Sequence, residues 1–382
     1  MTLSFPTTSE EARQRLAEIH NPHREGRMSP YERVAAALDL SQPDQVPFDF
    51  WAVPETIAKL LRYFDLPDEE SLLQLLGVDC RIFNPDYVGP QPEVLPDGTF
   101  FTPWGSHRRK VTNEYSTYEE YASWPLEGAA TAAEVECWPR WPKPEDYDWI
   151  SLPDRIRVIN RDVRYHIRVD IGGIFESAWA LYGLERFLTD LIERPEVPCA
   201  IMDCYTDIMI ANTHRMMSVA GGLVDWVYTY DDVAMQNGLL MSPAMWRRYI
   251  LPRHQRLNAA IKQYPLKILY HSCGAIFPLI APLIDEMGID ALNPLQPRAR
   301  WMDVAKIKQD FGQRIAFHGG IDLQHTLPYG TIEEVTAEVR ERCNILGRGG
   351  GYICTSAHYI QADVPVENIV AMYLASRHVE SQ

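Results

Sequence analysis

From His166 onward, short apolar runs rich in strand formers alternate with longer segments of helical period, and this alternation limits the folds open to the chain. The strand-like runs are His166–Ile171, Leu223–Tyr228, Ile268–His271, Ala291–Pro294, Ile315–His318 and Gly351–Cys354. Between and after them lie helix-like segments at Leu184–Ile192, Pro195–Val219, Pro243–Lys262, Phe277–Met287, Met302–Asp310, Thr331–Leu346 and Val366–Arg377. Two further runs upstream, Phe48–Trp51 and Asp79–Phe83, bring the strand count to that of a (β/α)8 TIM barrel. An open doubly wound sheet is the alternative, but the glycine fingerprint of a dinucleotide or P-loop fold is missing. The glycines from Gly347 to Gly351 precede a strand instead of opening a helix, so they read as a turn.

The rest of the chain is read around that barrel as one domain, 1–382. Residues 1–28 are polar and form a peripheral N-terminal arm with helical character. Ser29-Pro30-Tyr31-Glu32 is a capping box with proline at the first helical position. Helices are expected at Glu55–Phe64 and Glu69–Leu76. Residues 85–153, rich in Pro, Trp, Tyr and Gly, read as an insertion covering one mouth of the barrel, with Pro96-Asp97-Gly98 as a hairpin turn. Pro252 should kink the helix that contains it.

Composition narrows the class. With 46% hydrophobic and 23% charged residues, the chain of 382 can bury a large core. A net charge of −16 and the absence of a basic, aromatic-interleaved patch argue against nucleic acid. No apolar run reaches membrane-spanning length, and the first residues lack a signal-peptide pattern, so no membrane role is expected. The 7 cysteines are scattered without a disulfide framework, which fits a reducing cytoplasm.

In a barrel of this kind, residues just after each strand face one another at the catalytic mouth. Here these positions are polar out of proportion: Glu176, Asp231, Asp232, His271, Cys273, Asn293, Gln296, His318, Asp322 and His358, with Trp51 after the first strand. His271 and Cys273, two apart on an extended chain, point the same way, and imidazole plus thiolate suits zinc. The third ligand is His358, beyond the last strand, or Cys354 within it; His358 is preferred because it lies in the loop. That set leaves an open fourth position, as catalytic zinc sites do. Asp231 and Asp232 are candidate acid–base groups or partners of a histidine, and His318 is a candidate ligand or a donor to substrate. The bland alternatives are a buried histidine beside a small thiol, and solvated acids at a helix start.

These residues resemble the uroporphyrinogen decarboxylase superfamily. The resemblance is carried by His271-Ser272-Cys273-Gly274, Leu292-Asn293-Pro294-x-Gln296, His318-Gly319-Gly320-Ile321-Asp322 and His358-x-Ile360-Gln361-x-Asp363-x-Pro365-x-Glu367-Asn368. Ser29-Pro30-x-Glu32-Arg33 with Asp44-x-Val46-Pro47, and Gly173-x-Phe175-Glu176-x-Ala178-Trp179, add to it. The resemblance is to the branch of zinc-dependent, corrinoid-linked methyltransferases. It implies a TIM barrel, zinc on His271, Cys273 and His358, and a cobalamin (corrinoid) carried by a partner protein. It also implies a small methylated substrate, such as a methoxy compound, and allows a homodimer. The pocket would then be lined by Trp51, Glu176, Tyr230, Asn293, Gln296 and Asp322, with Asp232, Asp231 and His318 in catalytic roles. The arginine-rich segment with which true uroporphyrinogen decarboxylases grip their substrate is replaced here by Phe50-Trp51-Ala52-Val53-Pro54-Glu55. A many-carboxylate substrate needs cationic partners, so porphyrinogen decarboxylation is not expected. Coenzyme M methyltransferases of the branch carry cysteine where His358 falls. The exchange leaves a bound zinc more positive by one charge, better suited to polarising an ether or alcohol oxygen. The rival readings are a metal-free decarboxylase or lyase of the same superfamily and a non-catalytic binding protein.

Overall fold

The computed structural model describes residues 5–20, 26–91, 94–113, 117–375, 377 and 379. Seven strands form one parallel sheet in chain order: β1 (Cys80–Ile82), β2 (His166–Gly173), β3 (Trp226–Tyr230), β4 (Lys267–His271), β5 (Ala291–Leu295), β6 (Ala316–Ile321) and β7 (Tyr352–Ser356). The eighth position is taken by the extended segment 46–52. On one side, Cys354 N–H donates to Pro47 O at 2.8 Å and Asp49 N–H to Cys354 O at 3.0 Å. On the other, Asp79 N–H donates to Phe48 O at 2.8 Å. The sheet therefore curls until its two edges meet across this segment, giving the TIM barrel that the strand count predicts. The segment is no regular strand for a local reason. Pro47 has no N–H, and that of Phe48 is taken by the Asp79 side chain at 2.8 Å, not by a backbone carbonyl.

Two apolar clusters hold the barrel. The larger lies between the strands and the outer helices and includes Ile167, Val227, Ile268, Leu292 and Phe317. The smaller lies inside the barrel, where Trp226, Leu269, Ala291, Ala316 and Ile353 meet Val34, Ala37 and Leu38. Those three come from the helix Pro30–Leu38, which plugs the end opposite the functional loops. Its capping box forms as expected: Glu32 N–H donates to Ser29 Oγ at 3.2 Å, and Ser29 N–H to the Glu32 carboxylate at 2.8 Å. The helix holding Pro252 is interrupted as the sequence implies, by a widened π turn at Trp246–Ile250 ahead of Leu251–Ile261.

Between β1 and β2 the chain forms its own small sheet, Phe100–Phe101, His107–Thr112 and Thr117–Ser123. The turn at Pro96-Asp97-Gly98 joins Val94 to Phe100, with Gly98 at φ 82°. This unit is fastened to the barrel's helices: Tyr205 Oη donates to Trp104 O at 2.8 Å, and Leu126 N–H to Leu181 O at 2.8 Å. Among the described residues, no helix is long and apolar enough to cross a membrane.

Candidate metal and substrate site

The carboxyl ends of β2, β3 and β4 and the loop after β7 surround a cavity of about 550 Å³. Parallel pairing sets His271 beside Tyr230 on one side and Asn293 on the other. One ligand atom from each of His271, Cys273 and His358 lies within 4.8 Å of the other two. Cys273 Sγ is 3.3 Å from His271 Nε2. Zinc bond lengths at tetrahedral angles place such a sulfur and nitrogen roughly 3.6 Å apart, so this pair is spaced for one ion. Cys354, the alternative third ligand, is fully buried in the large core and cannot reach the site.

The loop bearing Cys273 is pinned on several sides. Its N–H donates to Asp232 Oδ1 at 2.6 Å, and the next N–H, of Gly274, donates to Gln296 Oε1 at 2.7 Å. Gly274 has φ 88°, and a Cβ there would meet Met235 O at 2.6 Å, so only glycine fits this turn. Gly173 likewise makes room for the Tyr230 ring, which an added Cβ would meet at 2.5 Å.

Behind His271 runs a buried polar chain. Its Nδ1 bonds Asn293 Oδ1; Asn293 Nδ2 bonds His318 Nδ1 at 2.6 Å; His318 Nε2 bonds Asp49 Oδ2 at 3.0 Å. Asp49 also accepts from Trp51 Nε1 at 2.8 Å and faces Arg168 at 3.4 Å. Charge at Asp49 sets the direction of donation. His318 Nε2–H donates to the carboxylate, its Nδ1 accepts from the Asn293 amide, and the Asn293 oxygen therefore accepts from His271 Nδ1–H. His271 Nε2 is left with a free lone pair beside Cys273, the tautomer a metal requires.

Electrostatics fit the same picture. Burial pushes His271 down to about 4 despite Asp232 nearby, so the imidazole is neutral and able to ligate. Burial lowers His358 too, against the pull of Asp232. Burial, then Asp232 and Glu176, pushes the Cys273 thiol up, so only a strong local cation makes it a thiolate. Burial at Asp49 favours the neutral acid, yet the His318 hydrogen bond and Arg168 hold it below its usual value.

Several residues expected in the pocket have other tasks. His318 is fully buried with both ring nitrogens bonded, so it positions His271 and donates to no substrate. Trp51 stacks on His271 with centroids 6.3 Å apart, behind the ligand and off the cavity. Asn293 lies in the polar chain, and Gln296 ties Gly274 to Gln236. Asp231 is fully buried; it accepts Glu176 N–H at 2.9 Å, in the first turn of the helix Phe175–Tyr182, and bonds His254 Nε2 at 2.6 Å. Asp322 bonds Arg298 and lines a separate cleft. Glu176, Tyr230 and Asp232 do line the cavity. Burial, with Asp232 and Asp231, raises Glu176 to about 8.

Residues that sequence reasoning missed include Asp49, Arg168, Asn212 and His254. A signal existed for Arg168: an arginine between the apolar Ile167 and Val169 of a strand must face a polar interior. Asp49 carried a weaker one, its position inside the first apolar run.

Fold and site together define a TIM barrel with three metal-competent side chains at its catalytic mouth. The chain belongs to the uroporphyrinogen decarboxylase (URO-D) family, whose model matches residues 138–379. It is 25% identical over 259 residues to a methylated-thiol–coenzyme M methyltransferase of Methanosarcina mazei, spanning 63% of this chain and 64% of that one. It is 24% identical over 253 residues to the methylcobamide:CoM methyltransferase MtaA of Methanosarcina barkeri, spanning 65% and 67%. A uroporphyrinogen decarboxylase of Syntrophotalea carbinolica is 28% identical, over 47% of this chain. A solved methyltransferase from Methanosarcina mazei superposes over 90% of this chain and 97% of its own, with TM-score 0.63 and 20% identity. That likeness supports the barrel. The chain thus spans about two thirds of the length of the two methyltransferases, and its sequence is similar to theirs and to that of the decarboxylase.

Proposed function

We propose that the protein is a zinc-dependent methyltransferase that moves a methyl group from a small methylated compound, such as a methoxy compound, to a corrinoid on a partner protein. The observation that carries this reading is the convergence of His271, Cys273 and His358 on one point at the edge of an aromatic cavity. A bound zinc would supply Lewis acidity toward the heteroatom that bears the methyl group. The chain's own residues do the rest. Asn293 and His318 present the His271 lone pair, and Asp232 and Gln296 hold the Cys273 loop. Glu176 and Asp232 stand where a proton can be exchanged with the leaving heteroatom. Trp104, Tyr147 and Trp149 wall the far side and exclude water.

The decarboxylase alternative has Asp232 and His358 in the cavity but, among the described residues, no cationic side chain there to hold a carboxylate substrate. No lysine or arginine lines the cavity among the described residues, while Asp170, Glu176 and Asp232 do. The test is incubation of the zinc-loaded protein with cob(I)alamin and a panel of methoxylated, methylthio and methylamino compounds. Methylcobalamin absorbance appearing with at least one donor, and not with Cys273→Ala, is expected. Transfer that persists without zinc, or its absence across the panel alongside decarboxylation of an acid, would contradict the reading.

A further inference from the structure

The cavity is larger than the metal point needs, and its far part has a definite chemistry. Trp104, Tyr147 and Trp149 form a connected aromatic wall, with ring centroids of neighbours 6.1 Å apart. Tyr230 faces in from β3, and Tyr359 from the last loop. The Glu176 side chain reaches the same space, and the only hydrogen bond to its carboxylate among the described residues is from Asp232 N–H, at 2.7 Å. Asn212, 4% exposed, also lines the cavity, and its Oδ1 and the Tyr147 hydroxyl are buried behind the wall without a partner.

The character of these groups decides the ligand. The Glu176 carboxylate accepts hydrogen bonds, and aromatic faces attract cations. Of the other acids, Asp170 is balanced by the buried Arg168 at 3.3 Å. Asp232 lies 3.5 Å from His271 Nε2, next to the metal point. Glu176 has no such counter-charge in this wall, so once ionised, above the value of about 8 to which burial raises it, it is the acid free to pair with a cation. Arg168 itself packs over the rings of Trp51 and Tyr228, at 4.5 and 5.1 Å, so the barrel already uses ring faces to hold a buried cation.

We propose that the far part of the cavity binds an alkylammonium group, making the methyl donor a small cationic compound whose methyl-bearing heteroatom faces His271, Cys273 and His358. The inference rests on the methyltransferase reading for the word donor; the preference for a cation is a binding property and is tested without turnover. It also separates this chain from acceptors that carry an acidic group, which these carboxylates repel.

The experiment is calorimetric titration of the zinc-loaded protein at about pH 9, above the value of about 8 to which Glu176 is raised, with three probes of one shape: choline, the neutral 3,3-dimethylbutan-1-ol and the anionic 3,3-dimethylbutanoate. Choline is expected to bind at least about tenfold more tightly than the alcohol, and the acid most weakly. Glu176→Gln should cut the choline preference to within about twofold while leaving the alcohol unchanged. Should that variant fail to fold, Trp104→Leu, which removes a ring face in the insertion, should do the same. Equal or tighter binding of the alcohol, a preference that neither variant moves, or no binding of any probe at millimolar concentration overturns the proposal. Choline preference without methyl transfer from any donor leaves this inference standing and sinks the methyltransferase reading. Transfer from neutral donors with no choline binding does the reverse.

Discussion

The two walls of the cavity are built on opposite principles. The barrel wall is a satisfied network, running from His271 through Asn293 and His318 to Asp49. The far wall, where the insertion meets the helix Glu196–Ala220, offers ring faces, with two buried polar atoms behind them that have no partner. A satisfied network fixes one geometry, which a metal centre needs. Open ring faces gain a partner only when something enters, which a binding surface needs. Variants on the first wall should therefore disturb metal binding or folding, and variants on the second should disturb ligand binding alone.

The largest effect is expected from the ligands themselves. His271→Ala and Cys273→Ala should abolish zinc binding measured by competition with a chelator, leaving the circular dichroism spectrum native. Next comes Asp49→Ala, which leaves His318 buried without its carboxylate and the buried Arg168 with one of its two, Asp170. It should cost about 3 kcal/mol or more in denaturant unfolding. Asn293→Ala frees His271 to take either tautomer and should weaken zinc about 10- to 100-fold, the usual cost of losing an outer partner. Asn293→Asp still accepts the Nδ1 proton and should recover part of that loss. An Asn293→Ala protein with full zinc affinity would break the comparison on its barrel side. Trp104→Leu should leave zinc affinity unchanged; a change in it would break the comparison on the other side.

The smallest effect is a pH dependence. Glu176 is raised to about 8 from an ordinary 4.5, so the folded protein holds a proton that the unfolded chain has released between those values. Stability from this group is therefore present below pH 4.5 and is lost as pH rises through about 8. The metal-free protein's Tm should fall across that window, and Glu176→Gln should flatten the fall by about 2 °C or more.

The same contrast explains what was legible in the sequence. The barrel strands announce themselves as apolar runs because both faces of each are covered, and the candidate metal ligands because His-x-Cys sits where such a run ends. The observed β4, Lys267–His271, differs from the expected run by one residue. Partnerships across strands are harder to read. That His318 bonds Asn293 and Asp49 depends on the register of β5 against β6, which slips between Leu292 and Leu295, and on the closing segment 46–52. Asp231 and Asp232 are neighbours in sequence, yet strand alternation buries one against His254 and turns the other into the cavity. The insertion has no period to read. Its aromatic residues stood out by composition, but that Trp104, Tyr147 and Trp149 share one wall follows from hairpin packing against the barrel's helices.

The central claim is that one zinc ion sits on His271, Cys273 and His358, and its most direct test is metal content. After dialysis against a weak chelator, elemental analysis should find about one zinc per chain, and none in the Cys273→Ala and His358→Ala proteins. A native protein that holds no zinc when offered it in excess, or variants that keep a full equivalent, would contradict the account.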